Sequence, residues 1–384
     1  MRPIKWTPAI LAMGLFFLAS AAQADWQPAK RLTWTSGNCF FPRIAADSSG
    51  HLHLVWFTGE SGDENVFYKK STNAGTSWSA RTRLSYSSGL SQDPDIAVDS
   101  SDALHVVWFD SGPGNYEIYH KKSADGGDSW SSSRRTTWTS TLSRYPALAI
   151  DAEDALHLLW EENVSGNFDI FYKKSTDGSA TWSTAKRLTW TSGLSQYPAI
   201  AAGPSNGLHL VWTDDTPGDF EIFYRRSTDG GAVWSTSQKL AWITYEATRP
   251  DIVSDPSGGI HVVGCDDGPG NREIFYKKST NGGITWSLNK RLSWTADRSY
   301  PPAIFLDSSG ALHVVWADLT PGDMEIYYKK STDGGVTWTA NRRLTWSSGS
   351  SLHPDITVDS TGVCHVVWYD TIPGNYEVYY RKGN

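Results

Sequence analysis

Charged and aromatic residues flank a proline that recurs every 52 residues along this chain. The residues before it are Phe41, Asp93, Tyr145, Tyr197, Arg249, Pro301 and His353. The residues after it are Arg43, Asp95, Ala147, Ala199, Asp251, Ala303 and Asp355. The rest of the repeat is kept while these positions vary, as a ligand site here would require, and unselected drift is the alternative explanation of the variation. We predict that these positions meet at one ligand site, formed by Arg43, Asp93, Asp95, Tyr145, Tyr197, Arg249, Asp251, His353 and Asp355.

A second set of candidates is the aspartate of a recurring W-x-D-x-x-P-G-[ND]-x-E segment. Its members are Asp110, Asp214, Asp318 and Asp370. Carboxylate and amide acceptors beside aromatic side chains suit ligands rich in hydroxyl groups. Turn chemistry is the alternative, because Pro, Gly, Asn and Asp are also the residues that β-turns favour.

Seven histidines occupy one further repeat position, and their regular spacing raises the question of metal binding. They are His53, His105, His157, His209, His261, His313 and His365. Zinc needs its ligands at about 2 Å, and imidazoles spread around a ring cannot converge on one ion. We therefore predict buried, hydrogen-bonded histidines, and neither a metal site nor a cofactor.

Seven copies of a 52-residue unit, without insertion or deletion, must position these residues. Each unit holds four short segments rich in β-branched and aromatic residues, separated by turn residues. In the second copy these are residues 95–99, 104–109, 117–122 and 134–138. The period predicts an all-β fold, a seven-bladed propeller of four-stranded antiparallel blades.

The two ends of the chain predict how the ring closes. The seventh copy stops at Asn384 without a fourth strand, and residues 25–34 resemble the missing piece. Trp26 lies 52 residues before Trp78, in register with the repeat. We predict that residues 29–34 form the outer strand of the last blade, within one domain spanning residues 25–384.

Residues 1–24 have the pattern of a cleaved secretory signal peptide. Arg2 and Lys5 precede a short apolar run, and residues 22–24 read Ala-Gln-Ala. The mature chain is then expected to be secreted or periplasmic, without membrane insertion.

Without residues 1–24 the chain has 32 basic and 41 acidic side chains, a net charge of −9. This charge argues against nucleic acid as a partner. Three cysteines, an odd number, predict that at least one thiol stays outside any internal disulfide.

The turn between the third and fourth strands carries a motif of the form S-x-D-G-G-x-x-W, such as Ser123 to Trp130. Its Asp or Asn positions are Asn73, Asp125, Asp177, Asp229, Asn281 and Asp333. The motif resembles the Asp-box, or BNR repeat, of sialidase-like propellers, and the resemblance covers residues 25–384. Asp and Asn bond backbone amides within their own turn, and Gly supplies positive φ. We therefore predict that these residues are structural.

The resemblance implies a ligand face opposite the Asp-boxes, and it raises sialidase activity. That activity needs an arginine cluster, a tyrosine with a glutamate partner and an acidic proton donor. Arg43 and Arg249 can reach the channel mouth, whereas Arg144, Arg272 and Arg298 are weaker candidates. Tyr145 and Tyr197 are candidate nucleophiles, but matching positions offer no partner glutamate. Sialidases are six-bladed, and here all seven repeats have equal length.

We therefore expect a non-enzymatic Asp-box propeller that binds a glycan or a protein surface. An exo-sialidase-like glycoside hydrolase is the alternative, and an architectural role in an exported assembly is the third hypothesis.

One aromatic series ends the fourth strand of each unit: Trp34, Tyr86, Trp138, Trp190, Trp242, Trp294 and Trp346. Packing between blades and repeated sugar-stacking sites are both consistent with this series.

Overall fold

The computed structural model describes residues 26–60, 63–164, 166–240, 247–268, 270–320, 322–372 and 374–384. The predicted signal peptide and Trp242 lie outside these ranges. The described residues form seven four-stranded antiparallel sheets arranged as the blades of a propeller. Both the all-β class and the number of blades are thus confirmed. No helix in the described ranges is long and apolar enough to cross a membrane.

Each blade runs from an inner strand at the axis to a two-residue outer strand. The inner strands are β2 (Asn38–Ala46), β6 (Ser91–Val98), β10 (Ser143–Ile150), β14 (Ser195–Ala202), β18 (Ala247–Ser254), β22 (Ser299–Leu306) and β26 (Ser351–Val358). The second strands are β3 (Leu52–Glu60), β7 (Leu104–Asp110), β11 (Leu156–Val164), β15 (Leu208–Asp214), β19 (Ile260–Asp266), β23 (Leu312–Asp318) and β27 (Cys364–Asp370).

The third strands are β4 (Asp63–Ser71), β8 (Glu117–Ser123), β12 (Asn167–Ser175), β16 (Glu221–Ser227), β20 (Glu273–Ser279), β24 (Glu325–Ser331) and β28 (Glu377–Gly383). The outer strands are β1 (Lys30–Arg31), β5 (Thr82–Arg83), β9 (Arg134–Arg135), β13 (Lys186–Arg187), β17 (Gln238–Lys239), β21 (Lys290–Arg291) and β25 (Arg342–Arg343). The outer strands are shorter than predicted, and the inner strands begin about four residues earlier.

The N-terminal strand closes the ring, as predicted. Strand β1 pairs with β28, with Lys30 opposite Tyr380, in a sheet ordered β1-β28-β27-β26. Leu32 N donates to Val378 O at 2.8 Å, and Gln27 N donates to Lys382 O at 2.8 Å. Backbone pairing therefore joins the two ends of the chain and covers the sheet edge that the last repeat would expose.

The core lies between blades, because each second strand is buried on both faces. In β7, Leu104, Val106 and Trp108 pack against Val55 and Tyr68 of the preceding blade. Val107 and Phe109, on the opposite face, pack against the following blade. Each blade thus buries both of its faces on its neighbours. Cys39, Cys265 and Cys364 are buried and unpaired.

Candidate functional site

A β-bulge in every inner strand shapes the mouth of the axial channel. In β6 the pairing with β7 shifts register between Gln92 and Asp95, so Asp93 and Pro94 together face one residue of β7. The same shift occurs at the equivalent place in the other six inner strands. Bulges bend a strand and re-aim a side chain, and here they do so at the axis.

Six of the residues before the repeated proline have left-handed backbone conformations. These residues are Phe41, Asp93, Tyr145, Tyr197, Arg249 and His353, with φ between 45° and 53°. A non-glycine residue held in this region costs about 1–3 kcal/mol. The repeated prolines are buried, while these neighbours remain partly exposed in the channel. The same strained conformation therefore recurs at a repeat position whose side-chain chemistry differs between blades.

All nine predicted axial residues line one cavity of about 460 Å³. Arg249 lies over the ring of Tyr197, with 4.5 Å between the guanidinium carbon and the ring centroid. The rings of Tyr145 and Tyr197 are 5.1 Å apart, and those of Phe41 and His353 are 4.3 Å apart. Within the described ranges, no ion pair engages the Arg249 guanidinium. The mouth thus combines aromatic rings with one unpaired cation.

Three aspartates after the proline join neighbouring blades. Asp95 accepts a hydrogen bond from Leu148 N at 2.9 Å, and Asp251 accepts one from Ile304 N at 2.8 Å. Asp355 accepts one from Ile44 N at 2.8 Å and lies 3.8 Å from the Arg43 guanidinium. These carboxylates therefore have a structural role at the bottom of the cavity, and Asp355 partly neutralises Arg43.

Two carboxyl groups beside the mouth have strongly raised pKa values. Burial raises the pKa of Asp93 to about 7, against the opposing charges of Arg43 and Arg249. Burial also raises the pKa of Glu161 to about 7, although Arg144 Nε donates to Glu161 Oε1 at 2.7 Å. Glu161 Oε2 has no hydrogen-bond partner within the described part of the chain. Both groups change charge near neutral pH, which is unusual for carboxylates.

Glu161 is a buried residue beside the mouth that the sequence analysis missed. It lies in β11 opposite Arg144, whose guanidinium carbon is 5.1 Å from the Tyr145 ring centroid. One signal was available, because Glu161 is the single acidic residue at a repeat position that otherwise varies: Phe57, Phe109, Thr213, Cys265, Ala317 and Tyr369. This position adjoins the mouth, since Phe57 and Phe109 contact Phe41 and Tyr145.

The second set of candidate aspartates lies outside the axial cavity. Asp110, 2% exposed, accepts hydrogen bonds from Ser91 Oγ at 2.6 Å and Gly112 N at 2.8 Å. Asp214, Asp318 and Asp370 repeat this arrangement with their own serine and turn amide. Their carboxylates are therefore occupied by turn contacts, which is the alternative that the sequence left open.

The seven histidines of the second strands are buried in hydrogen-bonded chains, as predicted. His53 Nδ1 lies 2.8 Å from the Tyr68 hydroxyl, and its Nε2 lies 3.2 Å from Asp47 Oδ2. Related pairings occur at the other six histidines, although His209 lacks the aspartate because Gly203 takes its place. No cluster of three or more potential metal ligands occurs among the described residues.

The turns that resemble Asp-boxes are closed by their own side chains. Asp125 accepts hydrogen bonds from Ser129 Oγ at 2.5 Å, Ser129 N at 2.9 Å and Ser123 Oγ at 2.8 Å, and these bonds lower its pKa to about 2. Trp130 of the same turn meets Tyr68 of the preceding blade edge to face, with centroids 5.0 Å apart. The motif therefore stabilises its own turn and also joins two blades.

Comparison with solved structures places this architecture among known propellers. A protein of unknown function from Dyadobacter fermentans covers 94% of this chain and 99% of its own at 12% identity, with a TM-score of 0.63. A polysaccharide lyase, an ulvan lyase bound to -[GlcA(1-4)Rha3S]-, covers 91% and 95% at 10% identity, with a TM-score of 0.65.

The NanB sialidase from Streptococcus pneumoniae covers 92% of this chain and 70% of its own at 15% identity, with a TM-score of 0.53. No protein-family model and no curated protein matches the chain. Identities this low establish a shared architecture and nothing finer. The chain therefore has a seven-bladed propeller fold whose architecture resembles that of a polysaccharide lyase and of a sialidase.

Proposed function

We propose that this chain is a carbohydrate-binding propeller whose axial mouth binds a saccharide unit carrying a carboxylate. The observation that supports this most is the strained ring of residues before the repeated proline. Six left-handed residues direct aromatic and charged side chains into one cavity. Strain of this kind persists only where the surrounding structure holds it, and it concentrates at binding sites.

The side chains of the mouth suit a sugar acid. Arg249 is fixed over Tyr197 and has donors available for a carboxylate. Phe41, Tyr145 and Tyr197 offer ring faces against which a pyranose can stack. The structural neighbours support the same class, since one is a polysaccharide lyase and another a sialidase. The signal-peptide pattern supports a place of action outside the cytoplasm.

A hydrolase like the sialidases is the second candidate, because Glu161 and Arg144 lie beside Tyr145. Three observations favour binding over catalysis. Burial raises the pKa of Tyr145 to about 12, which keeps its phenol protonated and a poor nucleophile. Arg144 is paired with Glu161, and Arg43 lies close to Asp355. An arginine cluster free to hold one carboxylate is therefore not assembled among the described residues.

The test of binding compares an oligosaccharide of glucuronic acid with its carboxyl-reduced glucose counterpart by calorimetry. We expect the acidic form to bind at least about tenfold more tightly than the reduced form, and Arg249→Ala to remove about tenfold or more of that affinity. Arg298→Ala, which changes an exposed rim arginine, is the matched control. Equal binding of both oligosaccharides, or full affinity in Arg249→Ala, would contradict the proposal.

The test of catalysis uses a fluorogenic sialoside with the wild-type chain and with Arg43→Ala and Arg249→Ala. The binding proposal expects no turnover. Turnover by the wild-type chain that either substitution abolishes would establish the hydrolase instead.

A further inference from the structure

The aromatic residues that follow the outer strands are largely exposed to solvent. Their exposed fractions are 69% for Trp34, 70% for Tyr86, 67% for Trp138, 65% for Trp190, 63% for Trp294 and 66% for Trp346. Packing between blades would bury these rings, so packing does not explain them. At other exposed repeat positions the residue type varies between blades, and one such position holds Ala80, Ser132, Thr184 and Leu288. The position after the outer strand, in contrast, holds an aromatic residue in every repeat.

An arginine of the same blade holds a fixed position against each of these rings. The Arg343 guanidinium carbon lies 5.5 Å from the Trp346 ring centroid. Arg343 Nε donates to Thr345 O at 2.6 Å, and its Nη2 donates to the buried Glu325 at 2.6 Å. Arg31, beside Trp34, makes the same two contacts with Thr33 and Glu377. The platforms are therefore preorganised, which reduces the entropy lost on binding.

The ring of Trp346 borders a cavity of about 270 Å³ between the last two blades. The cavity is also lined by Trp368, Asp370, Tyr379 and Arg381. Trp368 is 1% exposed, and its indole N–H has no hydrogen-bond partner within the described ranges. A buried donor without a partner is costly, and a ligand hydroxyl would satisfy it. The N–H groups of Trp316 and Trp56, at the same repeat position beside Trp294 and Trp34, also lack partners. Those of Trp108, Trp160 and Trp212 donate to a carboxylate of their own blade.

We propose that these six rings form a second class of site, in which the junction between blades beside each ring binds one uncharged sugar ring of a polysaccharide. The occupant is uncharged because the hydrogen-bond donors of the nearby cations are already engaged and do not point to a ligand anion. Arg343 is paired with Glu325, and Arg381 donates to the carbonyl oxygens of Trp26 and Gln27. A sugar ring would stack on the exposed indole and bring hydroxyl groups to the cavity behind it.

These sites are distinct from the axial site in position and in ligand. None of the six exposed rings lines the axial cavity. Each site alone is shallow and therefore weak, but sites repeated around one rim can act together on a polymer. The proposal thus predicts selective binding of multivalent neutral glycans.

The experiment measures retention of the full chain on polyacrylamide polymers that carry glucose, galactose, mannose, fucose or N-acetylglucosamine. We expect at least one polymer to bind and its free sugar to compete only at high concentration. Trp346→Ala alone is expected to weaken binding about twofold or less. Replacing Trp34, Tyr86, Trp138, Trp190, Trp294 and Trp346 together with Ala is expected to weaken it about tenfold or more. Leu288→Ala removes an exposed side chain outside these sites and is the matched control.

Arg249→Ala separates the two proposals, because it is expected to leave binding of the neutral polymers unchanged. If the sixfold variant melts early, a Trp294→Ala/Trp346→Ala double variant and sugar-dependent quenching of tryptophan fluorescence take its place. The proposal is overturned if no polymer binds, if the variants bind like the wild type, or if a proline-rich peptide binds the rings where sugars do not.

Discussion

His120 in the second blade and Ser179 in the third together replace a tyrosine–glycine contact found at five other junctions between blades. At those junctions a Cβ added to the glycine would lie about 2 Å from the tyrosine hydroxyl, as Gly231 would from Tyr172. Strand β8 carries His120 in place of the tyrosine, and the next blade carries Ser179 in place of the glycine, with φ of 75°. The smaller imidazole thus leaves room for the Cβ that tyrosine excludes.

The first prediction tests this pair. His120→Tyr should destabilise the chain by about 1–3 kcal/mol, because the phenol meets the Ser179 Cβ. Ser179→Gly should be close to neutral, since it relieves a strained φ. The double variant should recover wild-type stability, so a double-mutant cycle in urea should give a coupling energy of about 1–3 kcal/mol. If the stability effects of the two substitutions simply add, the side chains at positions 120 and 179 are not coupled.

The second prediction concerns closure of the ring. Trp26 is 5% exposed and meets Tyr328 edge to face, with centroids 5.2 Å apart. Trp26→Ala should cost about 3–5 kcal/mol, because it opens a cavity between the last two blades. Trp34→Ala removes an exposed ring from the same segment and should change stability by about 0.5 kcal/mol or less. Similar melting temperatures for the two variants would contradict a stabilising role for the N-terminal segment.

Most of the fold was predictable because the sequence pattern that specifies it is periodic. The 52-residue spacing predicts the number of blades, and the register of Trp26 with Trp78 predicts the closure. The bulges were not predictable, since the residue before a proline is normally extended. Tyr145 and Arg249 are therefore recognisable from the sequence as variable positions, but not as strained ones. Glu161 was missed because it lies on the adjacent strand, where only three-dimensional pairing brings it beside Arg144.

The third prediction concerns acid stability. His209 lacks the aspartate that the equivalent histidines contact, and burial lowers its pKa to about 4. A lowered histidine pKa means that the folded state resists protonation, so stability should fall as pH drops from about 6.5 to 4. A pKa shift of this size lowers the free energy of unfolding by about 3 kcal/mol once the pH is below both pKa values.

Gly203→Asp supplies the carboxylate found at this position in the other repeats, and the His209 and Ser254 side chains must shift to admit it, because the added Cβ would lie 3.0 Å from His209 Nε2 and 2.9 Å from Ser254 Oγ. We expect the melting temperature of this variant to fall less steeply between pH 6.5 and 4 than that of the wild type. His209→Asn, which has no titrating ring, is the control, and its melting temperature should also fall less steeply over the same interval; the other buried histidines, whose pKa values are lowered as well, supply the slope that remains. Parallel profiles of melting temperature against pH for all three proteins would show that His209 does not contribute to the loss of stability at low pH.

The fourth prediction concerns the pH dependence of the axial site. Asp93 lies among Arg43, Arg249, Arg144, Glu64 and Tyr145, and burial raises its pKa to about 7. Its negative charge is therefore lost as pH falls through 7, while the arginines stay charged. A ligand carboxylate keeps its own charge until about pH 4. Affinity for a glucuronate oligosaccharide should thus rise by about fivefold between pH 8 and 6, as one repulsive charge near Arg249 disappears.

Asp93→Asn should bind with the higher affinity at both pH values, because its side chain is neutral throughout. It should also raise the melting temperature at pH 8, since a raised pKa means that the ionised form weakens the folded state. That advantage should vanish near pH 4, where the wild-type carboxyl is protonated. Glu161→Gln tests the other carboxyl with a similar pKa, and any slope that remains in Asp93→Asn should disappear in the double variant. Affinity that stays level from pH 8 to 6 in the wild-type chain would rule out this electrostatic account of the mouth.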